Sequence, residues 1–164
     1  MSEEYTGLPH NSVVAFKYER IKGLKHSFQE IVRRHQDLRT TFAVVDGQPV
    51  QVIAAQHDLR VQSVDLRDRP ALERNAQALQ LARQEAQRPF DLCCGPLMRI
   101  TLYSLSEEEH ILVIIMHHII TDAWSTAVMW RELTTYYNAF VSGMQASLPE
   151  LAVQYADFAY WQRQ

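Results

Sequence analysis

The stretch ILVIIMHHIITDAWS, residues 111–125, decides the fold because it joins a buried strand to a polar turn. Its first six residues, 111–116, are apolar without alternation, which is typical of a strand that is covered on both faces. Two adjacent histidines follow, and Asp122 stands four positions after the second one. We therefore predict a strand that ends at a histidine pair, followed after Asp122 by a helix.

The sequence around this strand alternates between strand and helix patterns. Asp46-Gly47 lies between two strand-like runs, which is the strongest short signal for a β-hairpin. Strands are expected over residues 12–19, 97–105 and 110–117, near 59–66, and in both arms of a hairpin over about 40–54. Because at least two connections are hairpins, we predict an α/β (α+β) fold with a mixed sheet and helices packed on it.

Helices are predicted after Gly23, after Pro70, and from Asp122 to about Val141, and a short aromatic helix is predicted at the end of residues 148–164. The apolar side chains expected to pack are Leu24, Phe28, Ile31, Val32 and Leu38 in the first helix, Leu72, Leu79 and Leu81 in the second, and Ala127, Trp130, Leu133, Tyr137 and Phe140 in the third. In the last helix, Tyr155, Phe158, Tyr160 and Trp161 suit either a ligand cage or a helix that docks on the rest of the fold.

Composition limits both the size and the class of the protein. A chain of 164 residues with 47% apolar residues is sufficient for one domain, which we expect to span 1–164. The net charge of -3 argues against nucleic-acid binding, and no apolar run is long enough to cross a bilayer. Cys93 and Cys94 are neighbours, so a disulfide between them would be strained, and we expect two reduced thiols in a cytoplasmic protein.

The histidine pair allows several roles. Because side chains alternate along a strand, His117 and His118 cannot both face one cavity while the backbone stays extended. The carboxylate of Asp122 can orient the imidazole, pair with an arginine, or cap the new helix, and the spacing alone does not choose. Adjacent strand histidines diverge and no other His or Cys cluster supplies a third ligand, so we do not expect a metal site.

Four ordered blocks resemble the condensation domains of nonribosomal peptide synthetases, which belong to the chloramphenicol-acetyltransferase-like superfamily. MHHIITDAWS at 116–125 is similar to the family signature HHxxxDG, and RRHQDLRTTF at 33–42 is similar to RHExLRTxF. FDLCCGPLMRITLY at 90–103 resembles FDLxxGPLxRxxL, and YADFAYWQRQ at 155–164 resembles YxDFAxWQ. The resemblance implies the amino-terminal lobe of a two-lobed domain, with 148–164 as linker and terminal helix.

The resemblance also implies roles for individual residues. It makes His118 the catalytic histidine and His117 a hydrogen-bonded structural residue. It suggests that Asp122 forms a salt bridge with Arg34 or Arg39, which would fix the loop that bears His118. Ala123 stands where the family usually has glycine, and Ala tolerates this position if the backbone has an ordinary φ.

Trp124, Ser125 and the aromatic residues near the carboxy terminus are also given expected roles. Trp124 and Ser125 are expected to shape a channel wall, although Trp124 is equally compatible with a place in the core. With the family match, we expect the aromatic side chains of 155–164 to pack on the lobe.

The family's reaction is attack by a carrier-bound amine on a carrier-bound thioester. The resemblance therefore implies carrier domains as partners, with phosphopantetheine arms on the carriers and no cofactor bound by this chain itself. Two alternatives stay open: a non-catalytic lobe that acts as a folding or interaction module, and a relative that uses a free acyl-CoA. We expect an exposed apolar patch where the missing carboxy-terminal lobe would dock.

Overall fold

The computed structural model describes the backbone of residues 3–4, 11–18, 23–55, 59–162 and 164. The chain separates into two compact units, which are described one at a time. The first unit takes its described residues from Met1–Ile21, Arg60–Phe90 and Met98–Ile119, and the second takes them from Lys22–Leu59, Asp91–Leu97 and Ile120–Gln164. The single domain expected over 1–164 stays a prediction.

The first unit is built on a five-stranded mixed sheet in the order β1-β2-β7-β6-β5. Its elements are β1 (Glu3–Glu4), β2 (Asn11–Tyr18), β5 (Val61–Asp65), α2 (Ala71–Gln87), β6 (Met98–Ser104) and β7 (His110–His117). Strands β5 and β6 are parallel and the other pairs are antiparallel. Helix α2 connects the parallel pair, as the geometry of a parallel crossover requires. The predicted mixed sheet is confirmed.

Strand β7 is the buried centre of this sheet. Every side chain from 111 to 116 is buried, and β7 pairs with β2 on one side and β6 on the other. Ile111, Val113 and Ile115 pack in a cluster with α2, while the intervening side chains point to the opposite face. The apolar run without alternation therefore marks a strand that is covered on both faces, as predicted.

Helix α2 packs through a different face from the one expected. Its buried side chains are Ala78, Ala82 and Ala86, whereas Leu72 is 97% exposed and Leu81 is only partly buried. Alanine permits a close approach of the helix to the sheet, because its side chain ends at Cβ. The prediction of Leu72 as a packing residue is wrong, because Leu72 lies in the first turn of α2 and off the face that Ala78, Ala82 and Ala86 bury.

The second unit holds the remaining elements. They are α1 (Leu24–Arg34), a 3-10 helix (Gln36–Arg39), β3 (Thr40–Val45), β4 (Gln48–Ile53), α3 (Ala123–Val141) and α4 (Tyr155–Gln162). Strands β3 and β4 form the predicted hairpin, which is a separate two-stranded sheet. Asp46 and Gly47 have φ values of 51° and 75°, the positive pair that a tight hairpin turn requires.

Helices α1 and α3 pack against each other in this unit. The expected face of α1 is confirmed for Leu24, Phe28, Ile31 and Val32, which are buried. Leu38 is also buried, but it lies in the 3-10 helix because α1 ends at Arg34. In α3 the buried residues are Met129, Glu132, Leu133 and Tyr136, so only Leu133 of the predicted set is buried. The packing face is rotated by about one residue, because an ion-paired glutamate occupies the centre of the contact.

Helix α4 lies against the 3-10 helix of the same unit, but its aromatic side chains stay largely exposed. Tyr155, Phe158, Tyr160 and Trp161 are all exposed, and α4 has no buried residue. The rings of Tyr155, Phe158 and Trp161 follow one another along the helix with centroid distances of 6.2 and 6.1 Å. The helix therefore contacts the rest of the unit as expected, but without fully burying any of these rings. We call Tyr155, Phe158 and Trp161 the α4 aromatic face.

Candidate active site

The histidine pair lies at the point where β7 ends. His117 is the last residue of the strand, and His118 lies in the turn that follows. The side chain of His117 is half-buried, whereas that of His118 is exposed. The two imidazoles therefore have different surroundings, and His118 is the one that a substrate can reach from solvent.

His117 makes a local hydrogen bond that fixes its ring. Its Nδ1 accepts the backbone N–H of Ile119 at 3.1 Å, so the proton of the neutral ring is on Nε2. The ring also meets Phe90 edge-on, with centroids 5.9 Å apart and an interplanar angle of 87°. This is the kind of contact expected of a structural residue, and the bond spans the backbone of His118.

Asp122 caps helix α3. Its Oδ1 accepts the backbone N–H of Ser125 at 2.7 Å, and Oγ of Ser125 accepts the backbone N–H of Asp122 at 2.8 Å. This reciprocal pair is a capping box, which satisfies donors that the first turn of a helix leaves without partners. The hydrogen bonds from Ser125 lower the pKa of the Asp122 carboxyl group below its usual value.

The predicted salt bridge from Asp122 to Arg34 or Arg39 is wrong. Arg34 Nε donates instead to Glu132 Oε2 at 3.1 Å, and Nη1 of Arg39 donates to the carbonyl oxygen of Ala54. The capping box uses the Asp122 carboxylate at the helix end, and Glu132 provides the buried anion for Arg34. Of the three roles that the spacing left open for Asp122, the structure shows helix capping.

Glu132 is a buried charged residue that the sequence analysis missed. It is 4% exposed and also lies 2.7 Å from Nε2 of His35, so it joins two basic side chains of the 33–42 block to α3. Arg34 is held further by its carbonyl oxygen, which accepts from Nε2 of Gln154 at 3.0 Å. A glutamate within a helical pattern gives no signal of burial. Arg34 and His35 can be recognised as its partners only once α1 and α3 are packed together.

Ala123 and Trp124 form the first turn of α3. Ala123 is helical, so it has an ordinary φ and the usual glycine is not required for backbone conformation at this position. Trp124 is 80% exposed, which excludes the alternative that it belongs to the core. The expected role of Trp124 in a channel wall stays a prediction.

Asp37 is a second carboxyl group with a shifted pKa in the 33–42 block. Burial raises its pKa, and the charge of Asp122 adds to this effect, while His35 opposes it. Asp37 and Asp122 therefore influence each other electrostatically, although the Asp122 carboxylate bonds to its own helix. The two acidic residues add negative potential to the beginning of α3.

A cavity of about 710 Å³ lies within the second unit, beside α1, α3 and the 143–154 segment. Its lining includes Arg33, Arg34, Tyr136, Phe140 and Gln154, and does not include His118. Arg33 is paired with Glu30 and Arg34 with Glu132, so their charges are already balanced. This cavity therefore does not define the candidate active site.

Other predicted site classes can be compared with the described residues. Cys93 and Cys94 are free and exposed, as expected, and the carboxylate of Asp91 accepts both of their backbone N–H groups. Within the described ranges, no three His, Cys, Asp or Glu side chains are grouped to hold a metal ion. No helix in the described part of the chain has the length and hydropathy needed to cross a membrane.

A family model described as Condensation domain matches residues 11–164. One of the linear gramicidin synthase proteins of Brevibacillus parabrevis is 49% identical over 138 residues, which are 84% of this chain and 2% of that protein. Phosphinothricin tripeptide synthetase PhsB from Streptomyces viridochromogenes is 41% identical over 140 residues, 85% of this chain and 12% of that protein. The chain therefore spans only a small part of the curated relatives that it matches.

Solved structures show the same fold. The X-domain from teicoplanin biosynthesis superposes with a TM-score of 0.81 at 29% identity, covering 94% of this chain and 33% of that chain. The starter condensation domain of rhizomide synthetase RzmA has a TM-score of 0.83 at 17% identity, covering 93% of this chain and 39% of that chain. The predicted chloramphenicol-acetyltransferase-like lobe is thereby confirmed.

Proposed function

Because the chain belongs to the condensation-domain family, we propose that it supplies the histidine-bearing lobe for peptide-bond formation between two carrier-bound thioesters. The observation that carries this proposal is the position of His118. Its imidazole is exposed in the turn that directly follows β7, the buried central strand, which is paired with a neighbouring strand on each side. A rigid support of this kind is what a positioned catalytic group requires.

The proposed chemistry moves one proton from the amine to the departing thiolate. The nitrogen of an aminoacyl thioester attacks the carbonyl carbon of a second thioester, the new C–N bond forms, and the C–S bond breaks. The amine loses a proton, and the departing thiolate gains one. His118 takes the amine proton as the tetrahedral intermediate forms and can return it to the thiolate.

Positioning supplies much of the rate in this proposal. A free α-amino group has a pKa of about 7.7 to 8.0, so part of it is already nucleophilic near neutral pH. His118 then has to hold the amine about 3 Å from the carbonyl carbon, rather than remove a proton from an inert nucleophile. We therefore assign His118 both positioning and late proton transfer.

The proposed partners are carrier domains, whose phosphopantetheine arms deliver the substrates, and the carboxy-terminal lobe of the same domain. Support for the second partner comes from two sets of exposed aromatic side chains, Trp124 and the α4 aromatic face. Large exposed apolar groups are typical of interaction surfaces when they form a patch, as the three rings of α4 do. The exposed thiols of Cys93 and Cys94 suit a reducing compartment, so we propose a cytoplasmic location.

The same exposed aromatic residues favour a second candidate function. In it, the lobe is an interaction module that associates with its partner but does not turn over on its own. The two candidates differ in one measurable property, which is product formation when the carboxy-terminal lobe is supplied. An acyl-CoA-dependent transferase is a third class, which the same assay tests by offering acyl-CoA in place of the loaded donor carrier.

The test is peptide formation from two loaded carrier proteins, with the chain alone and with a separately supplied carboxy-terminal lobe. We expect product only with the lobe, and a loss of about hundredfold or more in His118→Ala. His26→Ala is the matched control because His26 is an exposed histidine on α1. Unchanged product formation in His118→Ala would show that His118 takes no part in the reaction. Absence of product both with and without the carboxy-terminal lobe would favour the interaction module.

A further inference from the structure

Arg99 on β6 closes the carboxy-terminal end of helix α2. Its Nη2 donates to the carbonyl oxygens of Glu85 at 3.0 Å and Arg88 at 2.8 Å, and its Nε lies 2.8 Å from Oε1 of Glu85. The last carbonyl groups of a helix have no partners within the helix, and a cation there is also favoured by the helix dipole. Arg99 therefore fixes the backbone that leads directly into Phe90.

The same guanidinium group also holds the ring of Phe90. Its central carbon lies 3.7 Å from the ring centroid, so the cation covers one face of the ring. The side chain of Arg99 is 15% exposed, and its interaction with Phe90 is therefore weakly screened by solvent. Phe90 meets the ring of His117 at 87°, which leaves a continuous contact from Arg99 through Phe90 to His117.

We propose that Phe90, held by Arg99, is a positioning residue that fixes the imidazole plane of His117 and, through it, the turn that carries His118. The ring plane matters because the Nδ1 lone pair of His117 must point at the N–H of Ile119. Rotation of the ring would break this bond. The inference rests on the proposed function in one respect, which is that the orientation of His118 matters for catalysis.

The mechanical part of the inference is tested without any turnover. In Phe90→Leu, which keeps an apolar side chain but removes the aromatic edge, we expect amide exchange of Ile119 to become about tenfold faster. We also expect the difference between the Nδ1 and Nε2 nitrogen shifts of His117 to shrink at about pH 8, where a free imidazole is neutral. Phe90→Tyr keeps the ring and should restore both signals.

The control for a merely structural effect lies in the same cluster. Val113 is buried in β7 and packs in the core to which Phe90 contributes, so its amide exchange reports the opening of the sheet. We expect Val113 to be unchanged in Phe90→Leu. Equal acceleration at Val113 and Ile119 would show that Phe90 only stabilises the core, and this outcome would overturn the proposal, as would no change at Ile119.

A second variant changes Arg99, at the other end of the contact that runs through Phe90 to His117. Arg99→Lys keeps the positive charge but loses the flat donor group that bonds two carbonyl oxygens and stacks on the ring. We expect its effect on Ile119 to have the same direction as that of Phe90→Leu, so a folding failure of one variant leaves the other informative. An Arg99→Lys protein with wild-type exchange at Ile119 would contradict the role of Arg99.

The catalytic part is measured with the carboxy-terminal lobe and loaded carriers. Phe90→Leu should lower kcat roughly tenfold with KM nearly unchanged, because the substitution alters only the orientation of His118. If His118→Ala is fully active, the proposed function fails while the exchange and nitrogen-shift results still stand. If kcat is normal in Phe90→Leu although Ile119 exchanges faster, the positioning of His118 is refuted and the proposed function survives.

Discussion

At the scale of single residues, the carboxylate of Asp122 caps the helix that begins directly after it. It bonds to Ser125 and starts α3 directly after the turn that contains His118. The start of α3 is therefore fixed by a local capping box rather than by a distant arginine. This arrangement needs no charge partner, because backbone N–H groups at a helix start favour the anionic carboxylate.

We expect Asp122→Ala to lower the free energy of unfolding by about 1 kcal/mol, the usual contribution of an N-cap side chain. The lowered pKa of Asp122 makes its contribution depend on pH in a fixed direction. It is fully present above the pKa of an unfolded aspartate, about 3.9, and is lost as the pH falls through the lower folded value. Urea unfolding at pH 7 and pH 3 measures both effects.

Asp122→Asn is the control for this prediction. Asparagine is an equally good N-cap residue but does not titrate, so its contribution should be nearly independent of pH. The wild type and Asp122→Asn should therefore have similar stability at pH 7, and the wild type should be the less stable of the two at pH 3. A loss of several kcal/mol in Asp122→Asn at neutral pH would instead indicate a charge partner for Asp122 and would contradict the capping assignment.

At the scale of secondary structure, α2 packs through alanines and leaves a leucine in solvent. Ala78 is 0% exposed, whereas Leu72 is among the most exposed apolar residues described. The helix itself was predictable from Pro70 and the sequence that follows it, but its orientation was not. Which stripe of a helix is buried depends on the neighbouring sheet, and a stripe of small residues gives only a weak hydrophobic pattern.

Ala78→Leu should destabilise the first unit by about 1 to 3 kcal/mol, because the added carbons have no space between α2 and the sheet. Leu72→Ala is the paired control and should change the free energy of unfolding by less than about 0.5 kcal/mol. Thermal unfolding followed by circular dichroism separates the two. The packing described for α2 would be wrong if the Leu72 variant proved to be the less stable one.

In helix α3 the buried face also differs from the predicted one, and here it contains a charged residue. The periodicity of its apolar side chains predicted a face one residue away from the buried one, and only Leu133 belongs to both. Glu132 occupies the buried face because Arg34 and His35 supply partners from α1 and the residue after it. A carboxylate is buried only where such partners exist, and they are about a hundred residues away in the chain.

At the scale of the whole molecule, the α4 aromatic face is a largely exposed surface among the described residues. Trp161 is 69% exposed, and the three rings form one continuous stripe along the helix. Solved relatives of this fold are about three times as long as the part that this chain matches. The stripe is the surface on which we propose that a carboxy-terminal lobe docks.

The double variant Phe158→Ser and Trp161→Ser should abolish binding of a separately supplied carboxy-terminal lobe while leaving the melting temperature of the chain unchanged. The reason is that neither ring is buried within the described chain, with 46% of Phe158 and 69% of Trp161 exposed. Leu72→Ser, an exposed apolar residue on α2, is the control and should bind normally. Unchanged binding by the double variant would show that the stripe has another partner, and a lower melting temperature would show that α4 packs in solution.

The sequence by itself determined the order of the elements, the mixed sheet, the buried central strand, the tight hairpin and the position of the histidine pair. These features depend on local patterns: an unbroken apolar run, Asp46-Gly47, and helix-ending residues each act within a few positions. The family resemblance was also available from ordered blocks of sequence. None of this required knowing which elements meet.

Only the tertiary structure decided which faces are buried and which side chains become partners. It placed Arg34 on Glu132 rather than on Asp122, packed α2 through Ala78, and left Trp161 in solvent. The physical reason is that burial and pairing are properties of two surfaces at once. A local pattern describes only one of them, so its partner has to come from the packed chain.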